Sequence, residues 1–286
     1  MNYIKNLLIL FSLLFSCMTF SQQPEPLPWD RYYTSCPRDK AAVWELPDSI
    51  ENKIKWSPET TKEQKTIIRY ILSNMVYVEG GDDIRLGSDK QYLISLSSFF
   101  MNRYEVSQDE WFVIMGDKPS NRLRRSYPVD QISWARAIDF VNKLQQLSGL
   151  PFNIPSEAQW EYAAKGGKYT QNYIYSGSDK ANEVAWFKEH SFEPCISEPS
   201  GRKKPNELGI YDMSGNLYEW CLDYYSEKPF SNDGHDPVEV ELLDHKVLRG
   251  GSFYTPAMYC RVTNRYGVNP QRWDIDYGVR LVLLIR

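Results

Sequence analysis

The chain has 286 residues, a formal net charge of -4 and a pI near 5.6. That length suffices for one large domain with an arm, and for a sizeable buried core. The mildly acidic balance and scattered basic residues exclude a nucleic-acid partner held through its phosphates, which needs Lys and Arg gathered on one face.

Lys5, the apolar run Leu7–Phe15 and the small-residue stretch that follows have the order of a secretory leader, too short and weakly flanked to span a membrane. Residues 1–21 are therefore expected to be a signal peptide and the mature protein to be exported. Two routes stay open: cleavage after Ser21 into the periplasm, or lipidation of Cys17, whose preceding Leu14-Phe15-Ser16 resembles a lipobox and whose lipid would tether the protein to the membrane. Without Cys17, the cysteines Cys36, Cys195, Cys221 and Cys260 remain, and the sequence does not choose among their pairings.

Residues 22–74 read as an arm. Pro24, Pro26 and Pro28 keep its start extended. Ser57-Pro58-Glu59 then has the composition of a helix opening, with Ser57 as N-cap. Ile67, Ile68, Ile71 and Leu72 form one apolar face of that helix, which is expected to pack on its own domain.

From Met75 the pattern changes. Met75–Gly81 and Tyr92–Phe100 alternate as strands and predict a hairpin. Ser107 and Glu110 form a capping box. Ser133 opens a helix whose Ala137, Phe140, Val141 and Leu144 recur at helical spacing. Ser156 opens another that ends at Gly166-Gly167. Helices, short strands and long loops follow one another without βαβ order, so the fold class expected is α+β.

The three histidines, His190, His235 and His245, have no zinc-binding spacing, and there is no CxxC, phosphate-cradling loop or G-x-S-x-G elbow. The chemistry concentrates in three segments: Asn153–Gly167 (NIPSEAQWEYAAKGG), Gly209–Trp220 (GIYDMSGNLYEW) and Arg249–Cys260 (RGGSFYTPAMYC).

Together these segments resemble the hallmarks of the sulfatase-modifying-factor family, best known through the formylglycine-generating enzymes. The resemblance covers residues 75–286 as one domain and implies a loop-rich fold distantly similar to C-type lectins. Asp212, Gly215, Leu217 and Glu219 match positions at which the family ligates calcium through side-chain and carbonyl oxygens. The chemistry agrees, because calcium takes hard oxygens in flexible geometry. The competing reading has Asp212 capping the turn and Glu219 in an internal ion pair. A second calcium position is matched only in half, by Asn182 and the Glu183 carbonyl, with Glu193 as the nearest acid for the rest.

The enzymes of the family hold copper between two cysteines, three and eight residues after the GGS triplet. Here those positions are Thr255 and Cys260, so copper is not expected: copper(I) prefers soft thiolates, and a threonine hydroxyl is hard and protonated. Met258 would share a face with Cys260 if the segment were extended. Ser252 and Tyr259 match family active-site positions, Cys260 stands as a vestige, and Tyr218 occupies a tryptophan position. The resemblance thus implies an exported envelope protein that uses the domain as a non-catalytic recognition or assembly module with an unidentified envelope partner, as do lipoprotein relatives in gliding and secretion machinery. Two alternatives are a copper oxidase acting on a client sulfatase cysteine and a lectin-like binder of small ligands.

Overall fold

The computed structural model describes residues 48–88, 91–190, 196–230 and 234–284. The leader, its two processing sites, Cys36, Glu193 and Cys195 lie outside the described residues. Among those described, no helix is long and apolar enough to cross a membrane.

The fold is α+β and loop-rich. After a short helix α1 (Asp48–Glu51), α2 runs over Lys62–Ser73 and α3 over Gln108–Met115; α4 (Trp134–Ser148) and α5 (Glu157–Ala164) follow, with a single turn α6 at Ala181–Val184. Helix α2 starts later than Ser57: its N-cap is Thr61, whose hydroxyl accepts from Gln64 N while the Gln64 side chain accepts from Thr61 N. The reciprocal box fixes the start because two orphan donors are satisfied together, which Ser57-Pro58 does not provide. Ile67, Ile68, Ile71 and Leu72 are buried as expected, in the cluster that also contains Trp111, Phe140 and Leu144. Trp111 and Phe140 stack at 5.0 Å between ring centres, joining α3 to α4.

Among the described residues, ten strands make three sheets. The first has the order β1 (Met75–Val78), β4 (Phe99–Asn102), β10 (Val282–Leu284), β5 (Phe152–Asn153), and the second pairs β2 (Gly81–Leu86) with β3 (Tyr92–Leu96). The third has the order β8 (Arg265–Val268), β7 (Lys246–Arg249), β6 (Tyr218–Tyr224), β9 (Tyr277–Gly278). The expected hairpin is present but divided, with Met75 opposite Asn102 in one sheet and Ile84 opposite Ile94 in another. At the break Ser97 N donates to Asp236 Oδ1 at 2.7 Å and Gly80 N to Ser98 Oγ at 3.0 Å. Backbone donors that bond to side chains leave the ladder, so each arm yields two strands.

All eight residues of α5 are buried, polar ones included. Its Glu157 and Glu161 meet Arg249, the last residue of β7, at 2.9 and 2.7 Å. This doubly paired guanidinium anchors the loop that begins at Gly250.

Candidate functional site

The loop after β7 turns back sharply. Gly251 has φ +72°, and a Cβ placed there would lie 2.7 Å from Cys260 Sγ and 2.8 Å from the Tyr259 carbonyl oxygen. Only a residue without a side chain permits that approach, which brings Ser252, Thr255 and Cys260 together. Ser252 N donates to Thr255 Oγ1 at 3.0 Å, and Thr255 Oγ1 donates to the Ser252 carbonyl at 3.2 Å. Ser252 Oγ in turn donates to Asp276 Oδ2 at 2.6 Å.

Cys260 is fully buried, and burial pushes its thiol up to about 12, against hydrogen bonds from the Thr255 hydroxyl and the Ser252 backbone that pull it down. The group is a thiol at neutral pH. Tyr218 is also buried, which raises its phenol, with the Asp276 charge acting in the same direction and Thr255 opposing. Its ring stacks on Tyr266 at 5.6 Å and meets Tyr277 edge-on at 6.2 Å. Asp276 is raised to about 6, again chiefly by burial, despite the Ser252 bond.

Residues 257–260 form a 3-10 turn rather than a strand. Met258 and Cys260 therefore do not share a face: Met258 is 58% exposed while Cys260 is buried. Tyr259 also points outward to the exposed rim. Beside the Ser252–Asp276 pair opens a cleft of about 210 Å³, lined by Gln131, Ser197, Phe253, Ile275, Arg122 and Arg124 among others. As a copper site the donors do not fit: one buried thiol and one threonine hydroxyl supply no thiolate pair, and the thioether faces away. Cys221 and Cys260 are both buried free thiols, so they are not joined to each other.

The oxygen-rich block is assembled by backbone conformations rare outside Gly, Asn and Asp. Asp212, Gly215 and Asn216 have φ of +57°, +79° and +64°, and a Cβ on Gly215 would come within 2.1 Å of the Trp186 carbonyl. Glu219 is fully buried at the start of β6. Its Oε1 accepts from Arg280 Nη2 at 2.6 Å, and its Oε2 from Arg280 Nε at 3.0 Å and Trp160 Nε1 at 2.7 Å. Asp212 Oδ2 accepts from Gly201 N at 2.6 Å. Glu105 completes the group, taking Leu217 N, the Asn216 amide and the Ser200 hydroxyl. Burial raises Glu105 well above the usual carboxylate range, and the charges of Asp212 and Glu219 add to the rise.

Glu219 is thus in the internal ion pair that competed with calcium ligation, and satisfied by it. Three buried acids, Glu105, Asp212 and Glu219, surround one buried guanidinium, with Lys203 near Asp212, and burial pushes Glu105 toward its neutral form. A hard cation there would take its oxygens from Asp212, Glu219 and the carbonyls of Gly215 and Leu217. Among the described residues, no three His, Cys, Asp or Glu side chains converge as a metal group, so the carbonyls would be obligatory ligands.

The half-matched second position is arranged otherwise. The Asn182 carbonyl accepts from Lys203 Nζ at 2.7 Å, and the Glu183 carbonyl from Lys204 N at 3.1 Å. The Glu183 carboxylate pairs with Lys204 at 3.1 Å. The carbonyls of Asn182 and Glu183 thus each accept a hydrogen bond from a lysine residue. Three functional groups were missed at the sequence level: Glu105, Asp276 and Arg280. Their signal in the sequence was charge beside apolar and aromatic residues, in YEVS and DYGVR.

The profile of the sulfatase-modifying factor enzyme 1-like domain family matches residues 60–285. The chaperone protein LppX of Paenibacillus barcinonensis is 33% identical over 263 residues, covering 74% of this chain and 90% of LppX. The formylglycine-generating enzyme of Streptomyces coelicolor is 30% identical over 161 residues, covering 51% of this chain and 47% of the enzyme. Among solved structures, Treponema denticola variable protein 1 superposes with a TM-score of 0.65 at 26% identity, covering 73% of this chain and 94% of that one. With the match spanning most of the chain and the same loop-rich α+β architecture, this protein belongs to the sulfatase-modifying factor enzyme 1-like domain family.

Proposed function

We propose that this chain is an exported envelope protein that uses its domain as a non-catalytic recognition or assembly module. The observation that carries the reading is Thr255, whose hydroxyl is engaged with the Ser252 backbone and the Cys260 thiol where the enzymes need a second thiolate. A thiol at about 12 with a hydroxyl neighbour neither holds copper(I) tightly nor activates a client thiol. The extensive likeness to a protein named as a chaperone supports a role played on other proteins. Calcium in the Asp212–Glu219 turn would serve this function as a structural ion that stiffens the turn.

The test is incubation of the mature protein with copper, oxygen, reductant and a C-x-P-x-R peptide, followed by mass spectrometry. The peptide mass is expected to stay unchanged, and aldehyde formation by the wild type would overturn the reading. The companion variant Thr255→Cys is expected to bind copper(I) more tightly than wild type in competition with a chelator, since it restores the missing ligand.

A further inference from the structure

Two surfaces of this chain have matching chemistry. The first is the loop Pro237–Asp244, between β6 and β7. Leu242 is 87% exposed and Val240 71%; around them stand Glu239, Glu241 and Asp244, with no Lys or Arg in the loop. The base of the loop is fixed, since Tyr224 N donates to the Glu239 carbonyl at 2.9 Å and Glu239 N to Asp223 Oδ1 at 2.9 Å. The tip is therefore presented to solvent from a rigid stem.

The second surface is a groove of about 120 Å³ between α3 and the segment 117–127, lined by Phe112, Leu123 and Val129 and by Lys118, Arg124 and Arg125. Leu123 is 61% exposed. Its walls are held in place: Trp111 Nε1 donates to Asp117 at 2.8 Å, Arg124 N to Gln108 Oε1 at 2.8 Å, and Asp130 N to Ser120 Oγ at 3.1 Å. Asp109 is the one acid among the lining residues, beside Arg125 at 3.7 Å, so the groove is basic overall.

We propose that the acidic, apolar Pro237–Asp244 loop of one copy of this chain docks in the basic, apolar α3 groove of a second copy. Exposed large apolar side chains on a soluble surface mark interaction sites when they cluster, and here the complementary charge and a cleft able to take a leucine side chain lie on the same molecule. Loop and groove share no residue, so a single contact leaves one loop and one groove unused, which either close reciprocally in a two-fold dimer or carry the contact on into a ring or a filament. The apolar tip supplies the affinity, and the rim charges supply steering and salt dependence. The proposal goes beyond the non-catalytic reading and does not depend on it.

Sedimentation velocity of the full mature chain over a concentration series tests it. Wild type is expected to self-associate, as a reciprocal dimer or beyond it, more weakly as salt rises. Leu242→Asp and Leu123→Asp alter exposed side chains and should keep the wild-type circular dichroism, while each weakens self-association at least tenfold. An equimolar mixture of the two variants has one intact loop and one intact groove, so it should form a 1:1 pair and stop there. A wild type that stays monomeric at every concentration overturns the proposal, as it would if the groove served another protein's acidic segment. So does unchanged association of Leu242→Asp, or a mixture of folded variants that does not pair.

Discussion

Arg280 and Glu219 form a side-on pair in the protein interior, with Nη2 2.6 Å from Oε1 and Nε within 3.1 Å of both carboxylate oxygens. The same guanidinium reaches the carbonyls of Asn102 and Tyr211, so it ties together the end of β4, the oxygen-rich turn and β6. Truncating one partner of a buried pair leaves a desolvated charge, at a cost of about 3–5 kcal/mol. Glu219→Gln and Arg280→Met are each expected to destabilise by that order in urea unfolding. A loss below about 1 kcal/mol, the scale of an exposed pair, would contradict the burial.

The oxygen-rich turn from Asp212 to Glu219 leads to a calcium prediction. A ligand bound only by the folded state stabilises it by mass action, by about 2.7 kcal/mol at a hundredfold excess over Kd. Chelator should therefore lower the Tm of wild type and leave Asp212→Ala, already lower, where it is. A calcium-loaded sample that shows no response to chelator would leave Arg280 and Lys203 as the counter-charges.

Gly251→Ala places a methyl against Cys260 Sγ and forces a side chain into φ +72°. Strain of about 1–3 kcal/mol is expected from the backbone alone, with the Cys260 turn displaced in addition. The control is Gly81→Ala, where a Cβ meets nothing within 4 Å. Thermal melts of the two variants should differ clearly, and equal melts would refute the close approach.

Asp276 carries a pH signature. Its carboxyl sits at about 6 in the folded protein against an ordinary 3.8, so between those values the folded state holds a proton that the unfolded state has released. Stability from this group is therefore greatest at the acid end of that window and falls as pH rises through about 6. Asp276→Asn removes the titration. The wild-type minus variant difference in unfolding free energy should decline from pH 4 to 6, by about 1.4 kcal/mol per unit at most. A flat difference would mean that the carboxyl is solvated.

Much of this architecture was legible in the chain. Ser107, Ser133 and Ser156 are N-caps as their spacing indicated, and Ala137, Phe140, Val141 and Leu144 are buried on one face of α4. Local rules sufficed there because caps and helical periodicity are short-range. The start of α2 was misplaced because two Ser/Thr-led openings compete within five residues, and the choice fell to the glutamine that closes Thr61's box. The segment through Met258, which would have set it beside Cys260 only if extended, is a 3-10 turn, and Gly251 folds the loop onto it. In the site itself, Ser252, Thr255, Tyr218 and Cys260 do come together, but Asp276, Glu105 and Arg280 arrive from distant segments. No periodicity announces a contact such as that of Glu105 with Leu217, 112 residues apart.

The first sheet has the order β1-β4-β10-β5, and β5 pairs with no strand in it except β10. A nascent chain emerging from its N-terminal side thus lays down β1, β4 and β5 early, yet nothing joins β5 to the others until Val282–Leu284 appears. Most of the polypeptide must wait, with apolar edges uncovered, for a strand of three residues near its end. A ribosome stalled shortly before those residues would hold a protease-sensitive chain, and release of that short strand should convert it to a resistant one in a single step.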